Sequence, residues 1–377
     1  MNLTTTRYGQ VVKIQRVGIL GGGQLARMLA LSAHPLGMEI SVLAAQKTDP
    51  AAQVVGATRL GSLNDESDLR KFLGDVDAVT FESEFVDTEK LERCLPASVL
   101  VFPHLEAISV IQDRLTQKRL LDRYSIPTGT WIQVDTQREL RSADSQFDNS
   151  FVLKQRRFGY DGYGTFVFRN AKVNPTVLHK SSHGFIAEKF IPFRRELALS
   201  LVRSRDGEFA TLPLVESVQK NSRCFSVHGP IDHSGIKNLV SRMKKMMRDL
   251  DYVGILAAEL FETADGLMVN ELAPRVHNSA HYSLDALTYS QFEYHMRAGL
   301  GLPLPKVEQK SSGFAMVNLL GEGGQRVQLS HAPRGYLHWY GKTENRAGRK
   351  LGHINVLDTS PRKALLRALQ WRKDFKL

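Results

Sequence analysis

Short apolar runs alternate with amphipathic segments through the first third of the chain. Residues 17–20 (VGIL), 40–44 (ISVLA), 77–83 (DAVTFES) and 98–103 (SVLVFP) have the apolar composition of buried strands. Helical or polar segments separate them. This rhythm predicts a parallel, doubly wound α/β sheet over residues 17–112. A mostly helical stretch follows over 105–124, stopped by SIPTGTW. FVLKQ (151–155) then reads as a strand running into the glycine-rich RRFGYDGYGTFVF. GFIAEKFI and RELALSLVR read as two more strands, joined by Pro192 to Arg194. In residues 229–254 an amphipathic helix presents Leu239, Met243, Met246, Met247 and Leu250 on one side, as core filler.

Residues 255–272 (ILAAELFETADGLMVNEL) predict a β-hairpin turning near Asp265 and Gly266. GLPLP (301–305) reads as a linker, and a small β-rich cap closes the chain. The expected division is a leader (1–16), the doubly wound domain (17–112), a central α+β domain (113–300) and the small C-terminal domain (306–377). The central domain splits into a small lobe at 113–190 and a large lobe at 191–300.

The length of 377 residues allows two or three domains with full cores. Hydrophobic residues at 42% and charged ones at 24% match an ordinary globular protein. No apolar run approaches the ~20 residues that span a bilayer, and the leader lacks the apolar core of a signal peptide. Cys94 and Cys224 are too few for a disulfide framework or a cysteine zinc site, which points to the cytoplasm. The net charge is +11, and residues 330–377 carry eleven Lys/Arg against three Asp/Glu, a net of +8. Nucleic acid, an anionic small molecule and a solvated tail are the three readings of that excess. GKTENRAGRKLGH (341–353), basic and broken by glycines, has the composition of an anion-wrapping loop. The charges after Ser360 read as plain surface.

GGGQLARM follows the first strand. Gly21, Gly23 and Ala26 fit the dinucleotide pattern G-x-G-x-x-G/A, but no acid ends the second strand to take a ribose. Asp49 lies beyond it, and Lys47 is the only basic alternative for a 2′-phosphate. A turn at a helix N-terminus that holds a single phosphate fits better. The sharper chemistry lies in the hairpin. Glu259 falls opposite Asn270 or Glu271, so two carboxylates share one face between apolar neighbours. Such a pair repels unless a cation joins it, and Mg²⁺ with nucleotide phosphates suits it. Lys154 at the end of FVL, Arg114 in DRLTQK and the glycine-rich lid at 159–165 add phosphate-binding groups.

Lys154, lid and Glu…Asn-Glu hairpin, in that order, resemble the ATP-grasp ligases. GGGQLARM, TFESEF, DRLTQK, GYDGYGT, NELAPRVHNSAHY and HWYGK…GRKLGH narrow the resemblance to the 5-(carboxyamino)imidazole ribonucleotide synthase family, the ATP-dependent carboxylases of purine biosynthesis. It covers nearly all the chain after the leader. It implies an ATP-grasp fold with a doubly wound N-terminal domain and a small β-rich C-terminal domain. The implied reaction carboxylates the amine of 5-aminoimidazole ribonucleotide with ATP and bicarbonate, through carboxyphosphate.

By the same resemblance, Arg114, Lys154, Gly159, Tyr160, Gly162 and Gly164 meet ATP phosphates. Glu188 to Ile191 form the adenine hinge, Glu196 holds the ribose, and Gln219 and Asn270 complete the nucleotide site. Glu259 and Glu271 bind Mg²⁺, or Mn²⁺ in its place. Arg275, His277, Asn278 and Ser279 form the bicarbonate pocket. Tyr160 and Asp161 face the imidazole, with Asp161 among the catalytic residues. Gly23, Gln24, Leu25, Glu82, Lys342 and Arg349 hold the ribonucleotide, the last two on its 5′-phosphate. The implied partners are small molecules, with no nucleic acid and no membrane, in a homodimer.

The chain departs from the family pattern at Tyr163 and Thr165 in the lid, at Ala347, and across Glu216 to Arg223, where Gln219 replaces a histidine. Arg156, Arg157 or Arg223 are the cations available to replace the one lost from the lid. An ATP-grasp ligase with another acceptor, and an NADP-binding protein, are the rival readings.

Overall fold

The computed structural model describes residues 3–5, 11–159, 162–171, 173–324 and 334–373. Strand β1 (Leu3–Thr5) pairs antiparallel with β2 (Val11–Lys13), so the expected leader contains a short ladder. Next come β3 (Arg16–Leu20), α1 (Gln24–Ala33), β4 (Glu39–Ala44), β5 (Ala57–Leu60), α2 (Glu66–Leu73), β6 (Ala78–Phe81), α3 (Thr88–Cys94) and β7 (Leu100–Val101). The five strands from β3 on form the predicted parallel sheet, in the order β5-β4-β3-β6-β7. Asp65 and Asp87 start α2 and α3 by accepting from the amides of Asp68 and Lys90. β7 keeps only two residues of the six-residue run SVLVFP. Pro103 has no N–H with which to extend the ladder.

The predicted helical stretch is broken once. α4 (Leu105–Gln112) ends where Asp113 caps α5 (Arg114–Arg123) by accepting from the Leu115 amide. β8 (Trp131–Val134), α6 (Gln137–Gln146), β9 (Phe151–Gln155), β10 (Thr165–Phe168) and β11 (Phe185–Lys189) follow. Thr136 and Glu139 form a capping box at α6. The four strands make an antiparallel sheet ordered β10-β9-β11-β8, whose core includes Phe151, Leu153 and Phe185.

The remaining strands are β12 (Arg195–Arg203), β13 (Phe209–Thr211), β14 (Val215–Lys220), β15 (Arg223–Gly229) and, after α7 (Ile236–Asp249), β16 (Gly254–Thr263) and β17 (Gly266–Ala273). Helices α8 (Ser283–Ala286) and α9 (Gln291–Leu300) lead to β18 (Gly313–Leu320), β19 (Tyr336–Trp339), β20 (Lys350–Asp358) and α10 (Pro361–Lys373). They build one sheet, β17-β16-β12-β14-β15-β18-β20-β19, with β13 also on β12. The strands read as joined at Pro192 to Arg194 therefore part company. β11 stays in the small sheet and β12 crosses the large one.

On α7, Leu239, Met243, Met246 and Met247 are buried as the periodicity predicts. Each such side chain contributes roughly 1.5–3 kcal/mol of transfer free energy. The C-terminal strands extend the large sheet, through β15 and β18, rather than standing apart. Residues after Ser360 are more than surface, because α10 buries Ala364 and Ala368 against that sheet. The 301–305 segment starts as a helix stop, with Gly301 at φ 68°, but Leu302 and Leu304 pack back on the core.

Candidate active site

A cavity of 560 Å³ opens between the small and large sheets, with the N-terminal domain at one end. The hairpin register puts Glu259 directly opposite Glu271, with a bulge between Glu259 and Leu260. Both carboxylates line the cavity. Burial and the neighbouring Glu271 raise the Glu259 pKa. Burial pushes Glu271 up as well, but the Arg114 guanidinium 2.9 Å away and Lys154 outweigh it and lower its pKa. On the Glu259 side Lys154 is the neighbouring cation, and its pull does not offset burial and Glu271. Among the described residues no three His, Cys, Asp or Glu side chains gather into a metal cage. Two carboxylates facing a nucleotide-sized space fit Mg²⁺, which takes its remaining ligands from phosphates and water.

Lys154 and Asn270 join the two sheets, with Lys154 Nζ donating to Asn270 Oδ1 at 2.8 Å. The ammonium also sits 2.6 Å from Glu188, and so does that of Lys118. This Lys–Glu–Lys triad is nearly dry, and its two cations bring the Glu188 pKa to about 2 despite burial. Thus the Glu188 side chain holds Lys154 in place, while its backbone leads through Lys189 to Ile191 along the cavity. Phe193 and Phe261 stack at 4.5 Å and line the same region. Arg114 also donates to the carbonyls of Gln155 and Gly159, which ties it to the root of the lid. Gly159, Gly162, Glu196 and Gln219 line the cavity. Gly164 does not. It packs on Gln155 at the lid's far end, where its φ of +72° favours glycine. Tyr160 and Asp161 lie outside the described residues.

Arg275, His277 and Asn278 line the floor. Arg275 makes a two-pronged ion pair with Glu84, one prong of it at 2.9 Å, which fixes the guanidinium from the N-terminal domain. His277 Nδ1 accepts from the Ser279 amide and meets its hydroxyl at 2.9 Å. The ring proton therefore sits on Nε2, facing the cavity. Burial first, then Arg275, lowers the His277 pKa to about 3, so the ring is a neutral donor. Its 3.6 Å approach to Glu259 is accordingly no ion pair. Ser279 is buried and reaches the cavity only through His277. Among the described residues both amide atoms of Asn278 are buried without a hydrogen-bond partner, with the Cys224 thiol nearby.

At the N-terminal end, Gln24, Leu25 and Glu82 line the cavity. The glycine turn differs from the sequence reading. The anion at the N-terminus of α1 is Glu82, which accepts from the Gly23 amide at 2.6 Å and from that of Leu25. A Cβ on Gly23 would strike this carboxylate. The turn thus holds a protein carboxylate where a phosphate was expected, and Gly23 lies behind it, outside the cavity lining. Lys342 and Arg349 also stand outside that lining. They are close enough for Arg349 to help lower the Lys342 pKa to about 8, after burial. Arg349 pairs with Glu344 at 2.7 Å. Of the proposed replacement cations, Arg156 and Arg157 are taken by Asp113, at 2.6 and 3.5 Å.

The sequence reading missed Glu84, Lys118, Lys350 and the Phe193/Phe261 stack. Lys350 lines the cavity next to His277 and His281. A signal existed for two of these. TFESEF alternates Glu82 and Glu84, and GRK places Lys350 beside Arg349.

Two sheets closing on a Lys, a lid and a two-carboxylate hairpin define an ATP-grasp protein. Residues 119–292 match the ATP-grasp domain family, 14–112 the ribonucleotide synthetase preATP-grasp domain, and 315–367 the phosphoribosylaminoimidazole carboxylase C-terminal domain. The N5-carboxyaminoimidazole ribonucleotide synthase of Synechococcus elongatus is 40% identical over 356 residues, covering 92% of this chain and 90% of the relative. That of Bacillus subtilis is 37% identical over 350 residues, covering 90% and 91%. A crystal structure of an N5-carboxyaminoimidazole ribonucleotide synthetase with ADP superposes with a TM-score of 0.86, at 34% identity over 96% of this chain and 98% of that one. The Aspergillus clavatus enzyme with ADP and 5-aminoimidazole ribonucleotide gives 0.83, at 29% identity over 96% and 99%. The chain belongs to the N5-carboxyaminoimidazole ribonucleotide synthase family, ATP-dependent ligases of purine biosynthesis.

Proposed function

We propose that the chain uses ATP to activate bicarbonate and transfers the carboxyl group to the amine of 5-aminoimidazole ribonucleotide. The observation that carries this reading is one cavity holding both the Glu259/Glu271 pair with Lys154 and the Arg275–His277–Asn278 floor. Bicarbonate is a poor electrophile because hydroxide must leave. Phosphorylation to carboxyphosphate makes phosphate the leaving group, and the amine then captures the carbonyl carbon. The protein's part is positioning and charge neutralisation.

In this reading Lys154 and Arg114 take the phosphates and Phe193 with Phe261 walls the base. Glu196 takes the ribose. Glu259 and Glu271 hold Mg²⁺, which supplies charge neutralisation on the phosphates when bound. Arg275 orients bicarbonate, and Glu84 keeps the guanidinium aimed. His277 Nε2–H and the Asn278 amide donate to the carboxyphosphate oxygens, and Ser279 fixes the histidine tautomer. Lys342 and Arg349 bind the 5′-phosphate, while Glu82, Gln24 and Leu25 face the rest of the ribonucleotide. Asp161 and Tyr160 face the imidazole. We place the enzyme in the cytoplasm, in keeping with two free buried cysteines. Among the described residues no helix is long and apolar enough to cross a membrane. A homodimer is the assembly expected in sedimentation.

The test is a coupled assay of ADP release. Release should require both bicarbonate and aminoimidazole ribonucleotide. Robust ATP turnover that ignores the ribonucleotide would sink the acceptor assignment and leave the ATP-grasp fold standing.

A further inference from the structure

Strand alternation at β15 separates two cavities. Cys224 faces the nucleotide cavity, while Arg223 and Phe225 on either side face a second one of 440 Å³. Lys220, Arg223 and Arg372 are the cations of this second cavity, and Glu322 is the single acid among its described lining residues. Neither Lys220 nor Arg223 has an ion-pair partner among the described residues. Lys220 Nζ lies 3.6 Å from the Phe225 ring centroid, and the Arg372 guanidinium lies 5.5 Å from it. Arg372 reaches Glu322 only at 3.7 Å, and its Nε is buried without a partner. Arg223 is held against the backbone at Gly348, where a Cβ would lie 2.5 Å from Nη1. Three converging cations with one largely solvated acid leave an uncompensated positive field over an aromatic wall.

We propose that this cavity binds a small phosphate monoester, at a site separate from the nucleotide cavity. A dianionic phosphate would pair with Lys220 and Arg223 and would be reached by Arg372, as charge-assisted hydrogen bonding requires. The volume leaves room for a small organic group beside Phe225. The wall that closes the cavity also bears Arg349. The Gly321 amide donates to the Arg349 carbonyl at 2.8 Å, and the Gly348 amide to the Gly321 carbonyl at 2.7 Å. An effect of the ligand on substrate affinity rests on the role proposed above for Arg349, whereas its binding does not.

The experiment titrates inorganic phosphate, then glycerol 3-phosphate, into the full chain saturated with Mg·ADP and 5-aminoimidazole ribonucleotide, so that the 5′-phosphate site proposed above is filled, and is read by calorimetry without turnover. One equivalent of each should bind. Lys220→Ala with Arg223→Ala should weaken that binding about tenfold or more, and Lys342→Ala should leave it intact. Lys220 and Arg223 flank the exposed Asn221–Ser222 turn, so the double variant should melt with the parent. If it does not, Arg223→Gln alone gives the same readout. Absence of binding to the parent, binding unchanged in the Arg223 variants, or an equivalent lost with Lys342→Ala would each overturn the proposal.

Discussion

The two ends of the active cavity are built on opposite plans. The nucleotide end is a dry, mutually neutralised network in which Lys118, Glu188, Lys154 and Asn270 hold one another at 2.6–3.4 Å. The end proposed for the ribonucleotide has Glu82 on a helix N-terminus, and beyond the cavity lining Lys342 stands near Arg349. One end is preorganised by its own ion pairs. At the other, Lys342 and Arg349 keep like charges near each other, and a phosphate bound as proposed would relieve them.

The sharpest break of that contrast is Glu271→Ala. It should remove several kcal/mol of transition-state stabilisation, on the order of 10³-fold in ADP formation, while ribonucleotide binding by calorimetry stays unchanged. Next is Glu188→Gln, which strands two buried ammonium groups. Urea denaturation should report a loss of about 3–5 kcal/mol, whereas the same measurement on Lys342→Met should show no comparable loss. Third, Arg349→Ala should raise the KM for the ribonucleotide about 10- to 100-fold with the KM for ATP unmoved.

A smaller effect comes from pH. The Lys342 pKa of about 8 lies below its ordinary value of 10.5, so the folded state sheds a proton that the unfolded state keeps between those pH values. Its cost to stability is therefore present below pH 8 and fades as pH rises towards 10.5. The binding consequence has the opposite sign. From pH 7 to 9 the ribonucleotide KM should rise about tenfold and the ATP KM should stay flat. Lys342→Met should erase the difference. The smallest effect belongs to Tyr163→Ala. That side chain is 64% exposed, and stability should move by less than about 0.5 kcal/mol.

The nucleotide end was the more legible in sequence, for a geometric reason. Glu259 and Glu271 lie on adjacent strands of one hairpin, so strand period and turn position alone bring them together. Lys154 announces itself as a cation ending an apolar strand. The Arg275–Glu84 pair spans 191 positions and Lys154–Asn270 spans 116, and no local period encodes such meetings. The glycine turn misled for a related reason. Its glycines are needed for close approach, but the group that approaches is Glu82, from a strand 59 residues away. The doubly wound sheet was readable from its alternation. The continuity of the C-terminal strands with the large sheet was not, because β15 and β18 meet only in the folded chain.

Three of the contacts that tie the Arg114–Lys154 segment to β17 are made by cations: Arg114 to Glu271, Lys154 to Asn270, and Lys118 to the Asn270 carbonyl. Together they form a clasp on that strand. In the proposed binding mode the ATP phosphates have to displace Glu271 from Arg114 and Asn270 from Lys154. ATP association should then run well below the ~10⁹ M⁻¹s⁻¹ of an encounter-limited reaction, and it should saturate at high ATP as unclasping becomes the slow step. Asn270→Ala, which removes one hook and leaves both carboxylates, should lift that ceiling even as it loosens the bound nucleotide.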